Sequence, residues 1–344
     1  MSGLKAIQVV EPGKMRLIEK EMPRIIHGNE VLIKVRMVGI CGSDMHIYHG
    51  TSPVATYPRV IGHEMAGEVE EIGADVHRLL PGDKVVMEPI ETCGQCYACK
   101  AGRKNVCAKL QVYGVHKDGS FQEYIVLPEH LVHKVDHRLA WEEAVLVEPF
   151  TIGAQANWRG DVRAGDYVFI MGAGPIGLCA LQVAKLKGAV CVISDLSDEK
   201  LAYAKEVGAD YTLNPLTDNV ADEIKRITGG LGPNVTIDAV CTEKTFEQAV
   251  EMTSVAGRVV VLGFGETPSQ IPQLPITKKE VTIAGSRLQS GKFPEVIEWF
   301  NSGRIAVNSF VTHRFALEDF RAAIELIETH PNQVRKVVLE LHTK

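Results

Sequence analysis

"YVFIMGAGPIGLCALQ", Tyr167–Gln182, decides how the second half of this chain is read. It opens as a short apolar run and passes through Gly172, Gly174 and Gly177, spaced G-x-G-x-x-G. It then takes up the apolar spacing of a helix that runs on to Gly188. The glycine spacing alone is weak evidence, but its place between strand and helix gives it meaning. The first two glycines permit a tight turn and close approach of backbone to a pyrophosphate. The helix N-terminus adds free N–H groups and the positive end of a dipole. "AVCVISD" reads as the next strand and ends on Asp195, 18 residues past Gly177. A carboxylate there accepts hydrogen bonds from a ribose diol and repels a 2′-phosphate, and Leu196, Ser197 and Asp198 supply no arginine for that phosphate. This favours NAD over NADP. The alternative is a strand-end aspartate that caps the following helix, although Asp198 can fill that role.

Outward from this stretch, "DEKLAYAKEVGA" has helical spacing, and "VTIDAV", "GRVVVLG" and "VTIAGS" continue as strands. Apolar strands alternating with helices imply a parallel sheet covered on both faces. Before residue 150 the pattern is β. "EVLIKVRMVGI" alternates Ile33, Val35 and Met37 with Lys34 and Arg36, and "GEVEEIG" and "GDKVVMEP" are further short strands, which together predict a twisted, barrel-like sheet. After Arg287 come two helices, "PEVIEWFNSG" and "LEDFRAAIELIETH", and a last strand, "RKVVLEL".

At 344 residues the chain is long for one core and comfortable for two domains. A net charge of −6 without a long run of Lys and Arg gives a nucleic-acid or anionic-membrane partner no electrostatic support. The N-terminal residues lack a basic segment followed by an apolar one, and no window reaches the length of a membrane span. These features predict a cytoplasmic protein, whose thiols stay reduced.

That bears on "CGQCYACKAGRKNVC", Cys93–Cys107, with four cysteines in fifteen residues. Cys93, Cys96, Cys99 and Cys107 have the close spacing that turns thiolates toward one tetrahedral metal. Zinc fits, and an iron–sulfur cluster is the rival. Four protein ligands close a zinc site, so such a site is structural and the chemistry lies elsewhere. "GICGSDMH" offers Cys41, Ser43, Asp44 and His46; "YPRVIGHEMAG" offers His63 and Glu64; "LVEPFTIG" sets Glu148 in an apolar run. Singly, Cys41 reads as a small buried hydrophobe, His63 as a core histidine and Glu148 as a helix cap. Together a thiolate, an imidazole and a carboxylate give zinc three ligands and an open position. Cys179, Cys191 and Cys241, in apolar helix or strand contexts, are expected to be buried and inert.

In this order, "GICGSD", "GHE", the four-cysteine lobe, "EP" and "GAGPIG" resemble the zinc-dependent medium-chain dehydrogenases over essentially the whole chain, and within them the polyol branch near sorbitol dehydrogenase. The resemblance implies an α/β protein. Residues 1–150 and 288–344 form a GroES-like, β-rich catalytic domain with a zinc lobe at about 88–110. Residues 151–287 form a doubly wound Rossmann domain that binds NAD. The active site is expected in a cleft between the two. Two Zn2+ per subunit are implied, one structural on the four cysteines. The other is catalytic on Cys41 and His63, with Glu64 and Glu148 beside it as ligands or through water. Classical liver-type alcohol dehydrogenases have a cysteine where this chain has Glu148. By family position Pro175, Ile176, Lys200, Gly263, Phe264, Ser286 and Arg287 line the cofactor or substrate; core packing is the other reading of Phe264. The implied reaction is oxidation of a secondary alcohol. Zinc acidifies the hydroxyl, hydride passes to the nicotinamide, and Ser43 and His46 relay the proton. Helix capping and a surface position are the plainer readings of these two.

The wording of "YPRVIGHE" and "VLVEPFTIG" resembles bacterial sugar-acid dehydrogenases, which oxidise hexonates such as L-gulonate, L-idonate or L-galactonate, more than it resembles sorbitol dehydrogenase itself. Arg59, Arg287 and Lys292 are candidate cations for the carboxylate. Neutral polyols such as sorbitol or xylitol come next. L-Threonine comes third, because "YHGTSPVATYP" lacks the tryptophan usual in threonine dehydrogenases. Zinc-free binding members of the superfamily lose the ligand residues, which are present here. A homodimer or homotetramer is implied, since strands of two Rossmann domains commonly join in this family.

Overall fold

The computed structural model describes residues 3–305 and 307–342. The chain forms two compact units, Met1–Glu148 with Phe293–Lys344, and Pro149–Lys292. The stretch Leu288–Lys292 therefore goes with the second unit.

The first unit is built on the alternation seen in Glu30–Gly39. Ile33, Val35 and Met37 are buried while Lys34 and Arg36 reach the surface. This strand is central in a seven-stranded sheet, ordered Val132–Lys134, Lys84–Met87, Glu64–Ile72, Glu30–Gly39, Lys336–Glu340, Val311–Ala316, with Tyr124–Pro128 also paired to it. Lys336–Glu340, from the end of the chain, lies antiparallel to it with Leu339 opposite Val38. On its other side Glu64 stands opposite Gly39. The chain's last strand and its sixty-fourth residue thus meet beside one glycine, and no local pattern reveals that. Val31, Ile33, Val35, Met65, Val85, Leu127 and Leu339 share the core beneath.

In the second unit the strands are β1 (Tyr167–Met171), β2 (Val190–Ser194), β3 (Tyr211–Leu213), β4 (Val235–Asp238), β5 (Arg258–Val261) and β6 (Thr282–Gly285). They pair in the order β3-β2-β1-β4-β5-β6, all parallel. This is the doubly wound sheet expected from the sequence, with the strand order reversing at β1. Helices Pro175–Leu186 and Asp198–Glu206 follow β1 and β2 as read from the sequence. Val220–Ile227, Glu243–Met252 and Gln273–Lys279 are helices that the sequence reading did not resolve. The first two are capped by Asn219 and Thr242, whose side chains accept from the amides of Asp222 and Thr245. Phe169, Met171, Val192, Ala249 and Val259 form the core. Among the described residues no helix is long and apolar enough to cross a membrane.

Candidate active site

The four-cysteine segment lies between Ile90–Glu91 and Gln111–Val112, which pair as a two-stranded ladder. Inside it Sγ–Sγ separations are 3.6 Å for Cys96–Cys99, 3.9 Å for Cys96–Cys107 and 3.5 Å for Cys107–Cys93. Four sulfurs about 2.3 Å from one ion stand about 3.8 Å apart, whereas a disulfide needs about 2.05 Å. All eight cysteines are free thiols. Amides of Cys93 and Lys109 donate to Cys107 Sγ at 3.3 Å each. Amides of Ala108 and Cys99 hold Cys96 below the usual thiol range. Such N–H donors favour thiolates, the form that binds metal.

A second cluster joins Cys41, His63 and Glu64, whose ligand atoms all lie within 4.8 Å of one another. Cys41 is the N-cap of the helix Gly42–Tyr48. His63 and Glu64 sit where a loop enters the strand Glu64–Ile72. The thiol, imidazole and carboxylate suit zinc. Two residues that sequence reasoning did not assign hold them in place. Asp44, fully buried, accepts the amides of Cys41 at 2.9 Å and Gly62 at 3.2 Å, and its Oδ1 stands 3.6 Å from His63 Nδ1. Lys336 Nζ donates to both oxygens of Glu64 at 2.7 Å and to the carbonyl of Ile40 at 3.3 Å. Gly39 makes room, since a Cβ there would lie 2.0 Å from Glu64 Oε2. Nothing local in the sequence points to Lys336.

Glu148 lies outside the cluster of three. It occupies the first turn of the helix Val147–Arg159, so it does not cap that helix from outside. Burial pushes its carboxyl up to about 7 against the pull of His63. Ser43 Oγ lies 3.4 Å from His63 Nε2, and His46 Nδ1 pairs with Thr51 Oγ1 at 2.8 Å. Both side chains belong to exposed residues, and neither caps the helix. Arg59 is committed elsewhere, to Asp118 at 3.2 Å and Thr56 at 2.7 Å.

In the second unit the Gly-rich turn connects β1 to the helix Pro175–Leu186, with Gly174 as N-cap and Pro175 and Ile176 opening the helix. Gly177 packs so closely that a Cβ would lie 1.9 Å from the Gly172 carbonyl oxygen, whereas a Cβ on Gly174 would meet no protein atom within 4 Å. The open space above Gly174 fits a pyrophosphate against bare backbone. Asp195 Oδ2 accepts the amide of Ala173 in this turn at 2.8 Å and Oδ1 accepts Ser197 at 3.0 Å. The cap of the next helix is Ser197, which accepts from the Lys200 amide, and not Asp198. Phe264 is 69% exposed, which overturns core packing, and the Arg287 guanidinium lies 5.9 Å from its ring centre. Ser286 is buried, and its hydroxyl has no hydrogen-bond partner among the described residues. Cys179 and Cys191 are buried as expected, but Cys241 is not fully so. It sits past β4 beside Gly263 with φ 67, a left-handed conformation outside any helix or strand. Burial still pushes its thiol up to about 12.

Two family models match the chain, "Alcohol dehydrogenase GroES-like domain" over residues 27–137 and "Zinc-binding dehydrogenase" over 175–302. The starvation-sensing protein RspB of Escherichia coli K12 is 40% identical, over 98% of this chain and 99% of its own length. The chain belongs to the zinc-type alcohol dehydrogenase family. It is an oxidoreductase acting on CH–OH groups. L-Galactonate-5-dehydrogenase of E. coli K12 is 34% identical over 92% of each chain. A crystal structure of the short chain alcohol dehydrogenase rspB from E. coli CFT073, complexed with cofactor NADH, superposes with a TM-score of 0.93 at 40% identity, covering 99% of this chain and 100% of that one.

Proposed function

We propose that this dehydrogenase oxidises a secondary alcohol of a hexonate to the keto acid, with NAD as acceptor and two zinc ions per chain. The observation that carries the reaction is the Cys41–His63–Glu64 cluster. Those three residues would hold the catalytic ion, and Cys93, Cys96, Cys99 and Cys107 the structural one. Each Glu64 oxygen has lone pairs to spare beyond those used by Lys336. Bound zinc supplies the Lewis acidity that makes an alcohol hydroxyl acidic near neutral pH. Asp44 anchors the amides of Cys41 and Gly62 and sets a carboxylate 3.6 Å from the His63 ring, Lys336 aims Glu64, and the Glu148 carboxyl lies close enough to feel the charge of His63. Ser43, next to His63, takes the hydroxyl proton, and His46 passes it outward. Gly172, Gly174, Pro175, Ile176 and Gly177 seat the pyrophosphate, Asp195 and Lys200 the adenosine ribose, and Gly263, Phe264, Ser286 and Arg287 the nicotinamide end.

The likeness to L-galactonate-5-dehydrogenase supports a sugar acid, with Arg287 or Lys292 as the carboxylate's cation. The commitment of Arg59 to Asp118 favours a second reading, a neutral polyol. Eight free cysteines support a reducing, cytoplasmic setting. Thr282, Ile283 and Gly285 are exposed on β6, an edge strand, which supports pairing with a second copy. The test is initial-rate NAD reduction on L-gulonate, L-idonate, L-galactonate, D-sorbitol, xylitol and L-threonine, with metal content measured alongside. Turnover of a hexonate and about two zinc per chain are expected. Turnover of polyols alone would replace the sugar acid with the second reading.

A further inference from the structure

The carboxyl ends of β2 and β3 are joined by a side chain that neither metal cluster nor the Gly-rich turn requires. Asn214 follows β3 directly and is 7% exposed. Its Nδ2 donates to Asp198 Oδ1 at 2.7 Å and to the carbonyl of Leu196 at 3.4 Å, and its Oδ1 accepts the amide of Leu216 at 3.0 Å. Its backbone amide donates to Asp218 Oδ2 at 2.7 Å, and its carbonyl accepts the amides of Thr217 and Asp218. A buried amide satisfied in this way is stiff, and it is costly to replace with a group of the wrong polarity.

The loop it grips is the one that carries Asp195. From the other flank that loop is held by the Asp195 carboxylate, which accepts the amides of Ala173 and Ser197. The segment Asp195–Asp198 is therefore fastened on both sides. Leu196 is 62% exposed and Leu216 73% exposed, and the backbones of both bond the same buried amide. Single exposed leucines need no explanation. Two whose backbones are held by one amide, at the strand ends where an open α/β sheet takes its ligands, are each carried on a fixed stretch of chain.

We propose that Asn214 is a positioning residue for the adenosine half of the cofactor. It holds the Asp195 loop for the ribose diol and sets Leu196 and Leu216 as apolar edges for the base, without touching the cofactor itself. The inference rests on the Gly-rich turn and Asp195 being the dinucleotide seat.

The test uses the full-length zinc-loaded protein, with AMP, nicotinamide mononucleotide and NAD as probes in calorimetry and steady-state kinetics. Asn214→Asp sets acceptors against Asp198 and the Leu196 carbonyl. It is expected to weaken AMP binding and raise KM for NAD by roughly tenfold, the scale of one charge-assisted hydrogen bond. Binding of nicotinamide mononucleotide, kcat at saturating NAD and KM for the alcohol stay within about twofold, well under the 1.4 kcal/mol that a tenfold change represents. Combining Asn214→Asp with Asp198→Asn restores donor to acceptor at the 2.7 Å contact, leaves only the longer 3.4 Å contact to the Leu196 carbonyl unpaired, and returns most of the AMP affinity. Unchanged AMP affinity in the single variant overturns the proposal. So does a loss that the reciprocal swap fails to repair, or one shared equally by kcat and the melting temperature. If the unaltered protein binds neither AMP nor NAD, the dinucleotide seat itself is wrong and the inference falls with it.

Discussion

Lys336→Met leaves Glu64 as a buried carboxylate without its cation. The lysine and glutamate side chains are 2% and 1% exposed, and both carboxylate oxygens receive the ammonium at 2.7 Å. A surface pair of this kind contributes little, but breaking a buried pair by removing one partner costs about 3–5 kcal/mol, because the remaining charge cannot reach water. For a unit of about 150–250 residues each kcal/mol moves the melting temperature by about 2–4 °C, so a fall of about 6–20 °C is expected. The loss of the bond to the Ile40 carbonyl adds to it in the same direction. The assay is thermal unfolding by circular dichroism after chelation, because a bound cation would itself neutralise Glu64. Returning zinc should then raise the melting temperature of Lys336→Met by more than that of the unaltered protein. Combining Lys336→Met with Glu64→Gln removes both charges and should recover more than half of the loss. A shift below about 2 °C, less than 1 kcal/mol for such a unit, would refute the reasoning. So would a double variant that melts no higher than the single one.

Cys41→Ser should fold and bind NADH, seen by nicotinamide fluorescence, with turnover nearly abolished; substantial residual activity would remove Cys41 from the ligand set. Cys99→Ser opens the four-sulfur lobe, whose metal contributes folding free energy, so thermal stability should fall along with zinc content. A zinc-depleted, stable and fully active protein would contradict that. Asp44→Ala removes the carboxylate beside His63 and the acceptor of the Cys41 and Gly62 amides, and should cost about 10–100-fold in metal affinity or activity, measured by competition with a chelator. Burial alone would raise the Asp118 carboxyl, but Lys20, the Val60 amide and Arg59 outweigh it and hold it below the usual carboxylate range. Its stabilising contribution is present above the unfolded value, about 3.9, and is lost as pH falls below that. Asp118→Asn should therefore flatten the acid limb of the melting-temperature profile, and an unchanged limb would show that the pairing carries no stability.

The parts of the fold that were legible in the sequence depend on local physics. The alternation of Ile33, Val35 and Met37 with Lys34 and Arg36 needs only a half-buried strand, and the structure buries those three. The Gly-rich turn needs only a strand, a left-handed glycine at Gly172 and a helix start, all within eleven residues of sequence. The four cysteines lie close enough in the chain that spacing alone brings their sulfurs together. Val220–Ile227, Glu243–Met252 and Gln273–Lys279 are short, so their local signals span too few residues to stand out. Val220–Ile227 is strongly amphipathic, and it and Glu243–Met252 are capped by Asn219 and Thr242, but they offer only eight and ten residues over which such a pattern can repeat.

What could not be read was the set of groups that hold the functional side chains in place. Lys336 and Glu64 are 272 positions apart and meet only because the last strand enters the first unit's sheet against Glu30–Gly39. Seen alone, a lysine opening "KVVLE" is an ordinary strand-end charge, and its burial follows from the register. Asp44 was visible beside Cys41, but its role depends on a loop 18 positions on that delivers the amide of Gly62 and the ring of His63. Asn214 likewise reads as a turn residue before proline until β2 and β3 pair and bring Asp198 within 2.7 Å. Ligands and glycines announce themselves because chemistry restricts which residues can serve. The positioning residues are common types made specific by sheet register, so their test is the reciprocal variant, and Lys336 with Glu64 and Asn214 with Asp198 each offer one.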